Sequence, residues 1–331
     1  MQQPRWSVPV KGPLRPEVVL LVASSPGYVA IGYVGRFLNP ALITISRMVL
    51  AALAMGLMWA VWHRGDTRRG RSQPFTRADL VRVVVCGLLG YTGYSMLLAQ
   101  GQKTLESGMA SLLINTAPVL TTLAGMVLLQ ERPTARRAVG TGLAFVGTAT
   151  IALASAGAVG INVGALWVIA ASLSLTAFVI VQQPLLEQHS PFEITAATTL
   201  SGAALSLLLL PWASISGSVP VGQTILALVV LGVVFTATAY TAWAYVLARL
   251  GAGGGTLILF AVPAASTTLG AIFLHERPTP VALLGGLLAI LGVGLSQSGD
   301  KGDQNPRRTT GSVDESTETY APDSPQTTSH L

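Results

Sequence analysis

Polar side chains within long apolar runs are the residues of this chain whose chemistry most needs explaining. Asn115 lies near the middle of one run, three residues before Pro118. Its amide offers hydrogen-bond donors and acceptors, and a proline tends to free the backbone carbonyl one turn earlier, here that of Ile114. A polar side chain beside a free carbonyl is suited to contacting a substrate. An interhelical hydrogen bond is the alternative role.

Aromatic side chains form a second candidate group. Tyr240 and Trp243 are three residues apart, which places them on one face of a helix. Such rings can stack on an apolar or cationic solute, and hydroxyl groups can orient it. Ordinary packing, or placement at the membrane interface, is the alternative. We expect the aromatic residues that face a substrate cavity to be Tyr28, Tyr91, Tyr94, Tyr240, Trp243 and Phe260.

Arg47 carries a charge about two helical turns inside another apolar run. At roughly 1.5 Å per residue it lies about 9 Å from the nearer end, so its long side chain can reach the membrane interface. We therefore expect Arg47 to be a structural anchor. The alternative is that it pairs with a substrate carboxylate, and for that role Arg47 is kept among the candidate substrate-binding residues.

The composition of the chain excludes a soluble protein. Of the 331 residues 51% are hydrophobic and 10% are charged, whereas soluble proteins carry about 25% charged residues. Only helices and closed barrels cross a bilayer, and apolar runs of about twenty residues fit helices rather than barrel strands. The net charge of +6 lies in short loops, so it does not indicate nucleic-acid binding. We expect an all-α integral membrane protein.

The apolar runs predict ten transmembrane helices with short connections. The spacing of Lys and Arg then orients them: 16 fall on the side that holds both termini and three on the other. This positive-inside bias predicts cytoplasmic termini in a cell (inner) membrane. The predicted spans are about 18–35, 41–62, 79–100, 105–129, 136–154, 162–182, 192–212, 222–246, 253–274 and 279–297.

The chain also repeats itself at a constant offset of 145 residues. Leu-Gln-Glu-Arg-Pro-Thr at 129–134 recurs as Leu-His-Glu-Arg-Pro-Thr at 274–279. A repeat of this length indicates duplication. The halves, 17–155 and 156–297, hold five spans each, so the second copy is expected to be inverted. A cytoplasmic segment at 1–16 precedes them, and a polar, disordered tail at 298–331 follows.

The repeated phrase contains the strongest candidates for structural or gating roles. We expect each Glu-Arg pair to form an ion-paired cap, one at each face of the membrane, so the two pairs cannot share a catalytic site. Two matching prolines are expected to act as hinges, with a static bend as the alternative. The residues of these two sets are Glu131, Arg132, Glu276 and Arg277 for the caps and Pro118 and Pro263 for the hinges.

These features together resemble the EamA family of the drug/metabolite transporter superfamily. Supporting stretches are 39–41, 46–47 and 183–186, in the family's order and spacing. The resemblance implies a ten-helix bundle of two inverted repeats around a central cavity, lined mainly by the first, third, fourth, sixth, eighth and ninth helices. It also implies export or exchange of small metabolites, often amino acids or amphipathic compounds.

We therefore predict a secondary transporter that exports a small organic metabolite by alternating access, without ATP. The alternative is a facilitative channel or exchanger without ion coupling, because no Asp, Glu or His lies in the middle of a predicted span. Coupling through an edge residue, Glu17 or Glu106, is the other option. We expect no enzyme activity, cofactor or metal, and as partners a small-molecule substrate and the lipid bilayer, with a homodimer left open.

Overall fold

The computed structural model describes this chain as a bundle of helices. Among the described residues, the sole strand-like contact is the isolated antiparallel pair Leu38–Ile215. The described residues are 16–63, 74–114, 116–117, 120, 135–154, 162–254 and 261–298. Five residues singled out from the sequence lie outside this set, namely Asn115, Pro118, Glu131, Arg132 and Phe260.

Two spans are composite, because a π-helical segment joins α3 to α4 and another joins α9 to α10. The helices are α1 Pro16–Val34, α2 Pro40–His63, α3 Arg77–Cys86, π1 Gly87–Gly93, α4 Tyr94–Gly101, α5 Ser107–Ile114, α6 Ala135–Ala154, α7 Val163–Gln188, α8 Pro191–Ser206, α9 Val221–Val229, π2 Val230–Thr238, α10 Ala239–Gly254, α11 Ala261–Leu274 and α12 Pro280–Ser298.

The outer surface of the bundle is apolar and much of its polar content lies inside. Five segments among the described residues are long and apolar enough to cross a membrane. Leu57 and Phe145 are each 67% exposed, while Thr44 and Ser172 are fully buried. Hydrocarbon is the solvent that such a surface matches. The five segments are Pro40–Ala60, Arg77–Gly101, Val163–Gln188, Pro191–Trp212 and Val221–Ala248.

The two π-helical segments occur at equivalent places in the repeat. Adding 145 to Gly87–Gly93 gives 232–238, which falls within Val230–Thr238. In the second segment the hydroxyl of Thr236 donates to the carbonyl of Leu231, five residues earlier, at 2.7 Å. Segments of this kind are rare and often occur at functional sites. Here they lie in two equivalent spans, at the level of the aromatic residues described below.

Helices α6 and α12, which are equivalent in the repeat, pack closely through small residues. A β-carbon added at Gly147 would overlap the backbone at Ala289, and one added at Gly292 would overlap the backbone at Ala144. The two contacts are equivalent in the repeat, because Gly147 corresponds to Gly292 and Ala144 to Ala289 at the offset of 145 residues. Because the contact moves up α6 as it moves down α12, the two helices run antiparallel.

Helices α5 and α11 also belong to equivalent spans and also pack antiparallel. The hydroxyls of Ser111 and Ser266 are hydrogen bonded at 2.6 Å. One turn earlier on α5, Gly108 lies against Thr267, one residue later on α11. Hydroxyl pairs and small residues are the usual means of joining helices in a membrane, where burial in lipid provides no driving force.

Substitution of Gly147 by valine tests the α6–α12 contact. We expect the larger side chain to push the helices apart and to lower the free energy of unfolding by about 1–3 kcal/mol, the usual cost of overpacking. The measurement is thermal unfolding of the purified protein in detergent. Gly142→Val on the same helix is the control, because nothing lies within 4 Å of a β-carbon there. Equal unfolding temperatures for the two variants would contradict the contact.

Candidate functional site

Arg47 lies in the protein interior and not at the membrane interface. Its side chain is 1% exposed, and its Nε donates a hydrogen bond of 2.7 Å to the hydroxyl of Thr236. The expectation that this arginine reaches the interface is therefore wrong. The physical reason is that π2 packs directly on α2 at this level, where Gly232 lies against Leu50 and the Arg47 backbone. At this level Thr236 binds Nε, and Phe235 and Tyr94 pack on the guanidinium group, so the side chain stays inside the bundle.

Aromatic rings from three other helical segments surround the guanidinium group. Its central carbon lies 4.6 Å from the ring centroid of Phe235 and 5.7 Å from that of Tyr94. The ring of Tyr28 packs on Phe235 with centroids 5.5 Å apart, and the absence of a side chain at Gly27 leaves room for the Phe235 ring. A cation held over aromatic faces in a dry interior is stabilised electrostatically.

The two terminal nitrogens of Arg47 are buried without a hydrogen-bond partner among the described residues. The hydroxyls of Tyr28 and Tyr94 lie close enough to interact electrostatically with the guanidinium group, and that of Tyr240 is also within hydrogen-bonding reach of it. Within the described part of the chain, no carboxylate pairs with Arg47. A buried charged donor without an acceptor is costly. An additional hydrogen-bond acceptor would therefore stabilise the Arg47 guanidinium group.

A second aromatic cluster lies next to the arginine. The ring of Tyr91 is 4.7 Å from that of Tyr240 and 5.7 Å from that of Phe178. The hydroxyl of Tyr91 accepts a bond of 3.2 Å from Thr198, and that of Tyr240 donates one of 2.9 Å to the Gly90 carbonyl. The sequence predicts that the rings of Tyr91 and Tyr240 face a substrate cavity. They are in direct contact, and Tyr91 is fully buried.

Reasoning from the sequence missed Phe235, Thr236 and Phe178. A helical pattern with 3.6 residues per turn does not place Phe235 on the same face as Tyr240, five residues later. The i to i+5 bonding of a π-helix brings residues five apart closer to one face. The register of the repeat was the available signal, because Phe235 matches Gly90 beside Tyr91. Trp243, which we singled out, is partly buried at the edge of the same cluster.

At one end of the bundle, Glu276 joins the segment after α11 to the start of α5. Both carboxylate oxygens accept the backbone N–H of Ser107 at 3.0 Å, and one accepts its hydroxyl at 2.8 Å. Gly270 packs against the same carboxylate without a side chain. An anion at a helix N-terminus is favourable because it satisfies free N–H groups. We call this contact the Glu276 clasp.

The clasp differs from the ion pair expected from the sequence. The hydrogen bonds of the Glu276 carboxylate go to Ser107, whereas Arg277 donates its backbone N–H to the carboxylate of Glu106 at 3.4 Å. Burial raises the pKa of Glu106, and the Glu276 carboxylate raises it further, against the hydrogen bond from Arg277. The start of α5 in the first repeat and the segment after α11 in the second thus meet at this end.

The opposite end of the bundle holds a buried histidine and aspartate. Nε2 of His189 lies 3.6 Å from Oδ2 of Asp79, and its ring stacks on Phe75 with centroids 4.4 Å apart. Asp79 also accepts the hydroxyl of Thr76 at 2.7 Å and completes the capping box of α3. The start of α3 is therefore tied to the turn between α7 and α8.

Pro263 lies in the described helix α11, Ala261–Leu274. Its hinge role stays a prediction. Among the residues that the structure describes, no group of three His, Cys, Asp or Glu side chains could hold a metal ion.

Helices of membrane-spanning length with an apolar exterior and a polar interior define a multi-pass membrane protein. The EamA-like transporter family model matches residues 18–153 and again residues 162–297. The chain belongs to this family, as its resemblance to the family had suggested.

Similar proteins include named transporters. A protein of Streptantibioticus cattleyicolor called a probable terminal-alkyne amino-acid exporter is 33% identical over 76% of this chain and 82% of its own length. An uncharacterized transporter of Archaeoglobus fulgidus is 28% identical over 80% of this chain and 91% of its own. A solved structure that is 21% identical covers 88% of this chain and 99% of its own, with a TM-score of 0.62. The last likeness concerns the fold alone.

Proposed function

We propose that this protein is a secondary transporter that exports a small organic metabolite by alternating access, without ATP. The observation that carries the proposal is the antiparallel packing of equivalent helices, α6 with α12 and α5 with α11. Antiparallel packing of sequence-equivalent helices is the relation expected of inverted repeats. Inverted repeats place a substrate site between the halves and let one half rock against the other.

The proposal includes ten spans and cytoplasmic termini. The 16 to three distribution of basic residues supports this orientation. It places the Glu276 clasp on the outer face and the His189–Asp79 pair on the cytoplasmic face. Contacts between loops agree with it, because Thr104 donates to Asn162 at 3.0 Å and Leu38 pairs with Ile215. All four residues lie in segments predicted to be outside or next to the outer face.

In this proposal the Glu276 clasp is the closed outer gate. It joins α5 of the first repeat to the segment after α11 of the second, so the halves cannot separate at that face while it is intact. Arg47 and its aromatic rings lie further inside the bundle, where a solute released by an open clasp would pass. The clasp would therefore control outward release.

The substrate in this proposal resembles an amino acid or an amphipathic compound. Support comes from the relative named as an exporter of a terminal-alkyne amino acid, which is 33% identical over most of both chains. The aromatic residues around Arg47 would contact the apolar part of such a solute.

Secretion from cells tests the proposed function directly. We expect cells that produce the protein to tolerate higher concentrations of its substrate and to release more of it into the medium than cells without the protein. The measurement is metabolite profiling of the medium across amino acids and amphipathic compounds. Identical tolerance and secretion in both strains would contradict export.

A facilitative channel or exchanger is the second candidate function. It is favoured by one observation, the lack of Asp, Glu or His in the middle of the predicted spans, because proton-coupled transporters usually carry such groups there. Uptake into proteoliposomes with and without an imposed pH gradient separates the two mechanisms. Strong dependence on the gradient would exclude the uncoupled mechanism.

A further inference from the structure

We infer that Arg47 holds the carboxylate of the transported solute, so that the substrate class is an organic monocarboxylate with an apolar body. This inference rests on the proposed function and names the chemistry of its substrate. Its basis is a guanidinium group that is buried in the membrane domain and presents two terminal nitrogens without acceptors among the described residues.

Two of the three guanidinium nitrogens of Arg47 are buried and have no acceptor among the described residues. Nε of Arg47 donates a hydrogen bond of 2.7 Å to the hydroxyl of Thr236, and this bond fixes the orientation of the guanidinium group. The two terminal nitrogens form a fork that matches the two oxygens of a carboxylate. A charge-assisted pair of this kind would supply the acceptors that the described residues do not provide, and it would neutralise the buried cation.

The surroundings of Arg47 select the rest of the ligand. Phe235 and Tyr94 cover the cation and offer ring faces and edges to an apolar group. The hydroxyls of Tyr28 and Tyr240 lie near the guanidinium group. That of Tyr28 can donate to an oxygen, whereas that of Tyr240 donates to the Gly90 carbonyl and can only accept, for example from an amino group. One cation without a described counter-ion balances one negative charge. A solute with a single carboxylate therefore fits better than a dicarboxylate.

A purely structural arginine is the competing explanation. The cation lies over the Phe235 ring, but an aromatic face is a much weaker hydrogen-bond partner for the N–H groups than a carbonyl or carboxylate oxygen. An arginine that serves only to join helices is expected to donate its N–H groups to backbone carbonyls or to a carboxylate. Nε of Arg47 donates a hydrogen bond to Thr236, and its two terminal nitrogens have no acceptor among the described residues.

Binding is tested with purified protein in detergent by the shift in its unfolding temperature. The probes are isocaproate, 3-phenylpropionate, L-leucine and L-phenylalanine, each paired with its primary amide, which keeps the shape and removes the charge. We expect at least one acid to raise the unfolding temperature and its amide to have an apparent affinity at least about tenfold lower, the usual difference for a charged hydrogen-bonded pair. No stabilisation by any acid, or equal stabilisation by acid and amide, would overturn the inference.

Variants of Arg47 locate the effect. Arg47→Gln removes the charge, and we expect it to abolish the difference between acid and amide. Arg47→Lys keeps the charge without the fork, and we expect it to fold and to bind the acid about tenfold more weakly than the wild type. Arg36→Gln is the control, because Arg36 donates to the Leu274 carbonyl away from this site. An unchanged acid response in Arg47→Lys and Arg47→Gln would refute the role of Arg47.

Transport measurements separate this inference from the proposed function. If no solute crosses proteoliposomes that contain the protein, the transporter proposal fails. If a solute crosses and its amide or methyl ester crosses at the same rate, transport stands and the carboxylate site is refuted. Transport of the acid form alone, lost in Arg47→Gln, supports both.

Discussion

Substitution of Gly232 by leucine is expected to lower transport by at least about tenfold while the protein still inserts in the membrane. A β-carbon at Gly232 would overlap the side chain of Leu50 and lie 3.0 Å from the carbonyl of Arg47. A leucine must therefore push π2 away from α2, at the level where Thr236 holds the guanidinium group. Overpacking of this kind costs about 1–3 kcal/mol, and a shift of 1.4 kcal/mol changes an equilibrium about tenfold.

Gly222→Leu is the matched control for this prediction. Gly222 lies in α9 of the same span, and nothing lies within 4 Å of a β-carbon there. We expect Gly222→Leu to transport like the wild type at equal amounts in the membrane. Equal activity of both leucine variants would show that the contact between α2 and π2 does not matter for transport.

Loss of the Glu276 carboxylate is expected to open the outer face. In Glu276→Ala the backbone N–H and hydroxyl of Ser107 lose their acceptor, and Ser107 is fully buried. Leaving such groups unpaired costs about 1–3 kcal/mol in the closed state, whereas water satisfies them in an open state. We therefore expect the population open at this face to increase about tenfold or more.

Thiol labelling from outside measures this opening. Ser111→Cys, one helical turn beyond the clasp on α5, provides the reporter, in a Cys86→Ser background because Cys86 is the single cysteine. We expect its alkylation rate in intact cells to rise about tenfold when Glu276→Ala is added. Glu193→Ala is the control, because Glu193 caps α8 within one repeat. Similar rates for Glu276→Ala and its parent would mean that the clasp does not hold the outer face closed.

The positions of these two contacts explain how far the sequence could be interpreted. The duplication, the family and the tyrosines of the site were available from sequence, because they depend on residue type and spacing along one span. The hydrogen-bond partner of Glu276 could not be predicted from the sequence, because Ser107 is 169 residues away and contacts it only in the folded bundle. The repeat pointed to Glu276 as a cap but not to the helix that it caps.

Arg47 illustrates a second limit. The distance of Arg47 from the end of α2 suggested that its side chain could reach the membrane interface. That estimate took only α2 into account and not the helices packed against it. The neighbouring π2 segment determines the outcome, because Gly232 brings it against α2 and Phe235 covers the cation. Sequence patterns are interpreted with the 3.6 residues per turn of an α-helix, and the π-helical geometry of that segment departs from this period. The substrate roles predicted for the tyrosines stay predictions, although three of them lie around Arg47.

Counterflow in proteoliposomes is the most direct test of alternating access by this protein. Purified protein is placed in vesicles without ATP, the vesicles are loaded with an excess of unlabelled solute, and entry of the same labelled solute is followed across a panel of amino acids and apolar monocarboxylates. We expect at least one labelled solute to accumulate transiently above its outside concentration, and the Gly232→Leu variant to lose this accumulation. Entry no faster than into protein-free vesicles for every solute would contradict a transporter, and entry that only equilibrates, without overshoot, would contradict alternating access.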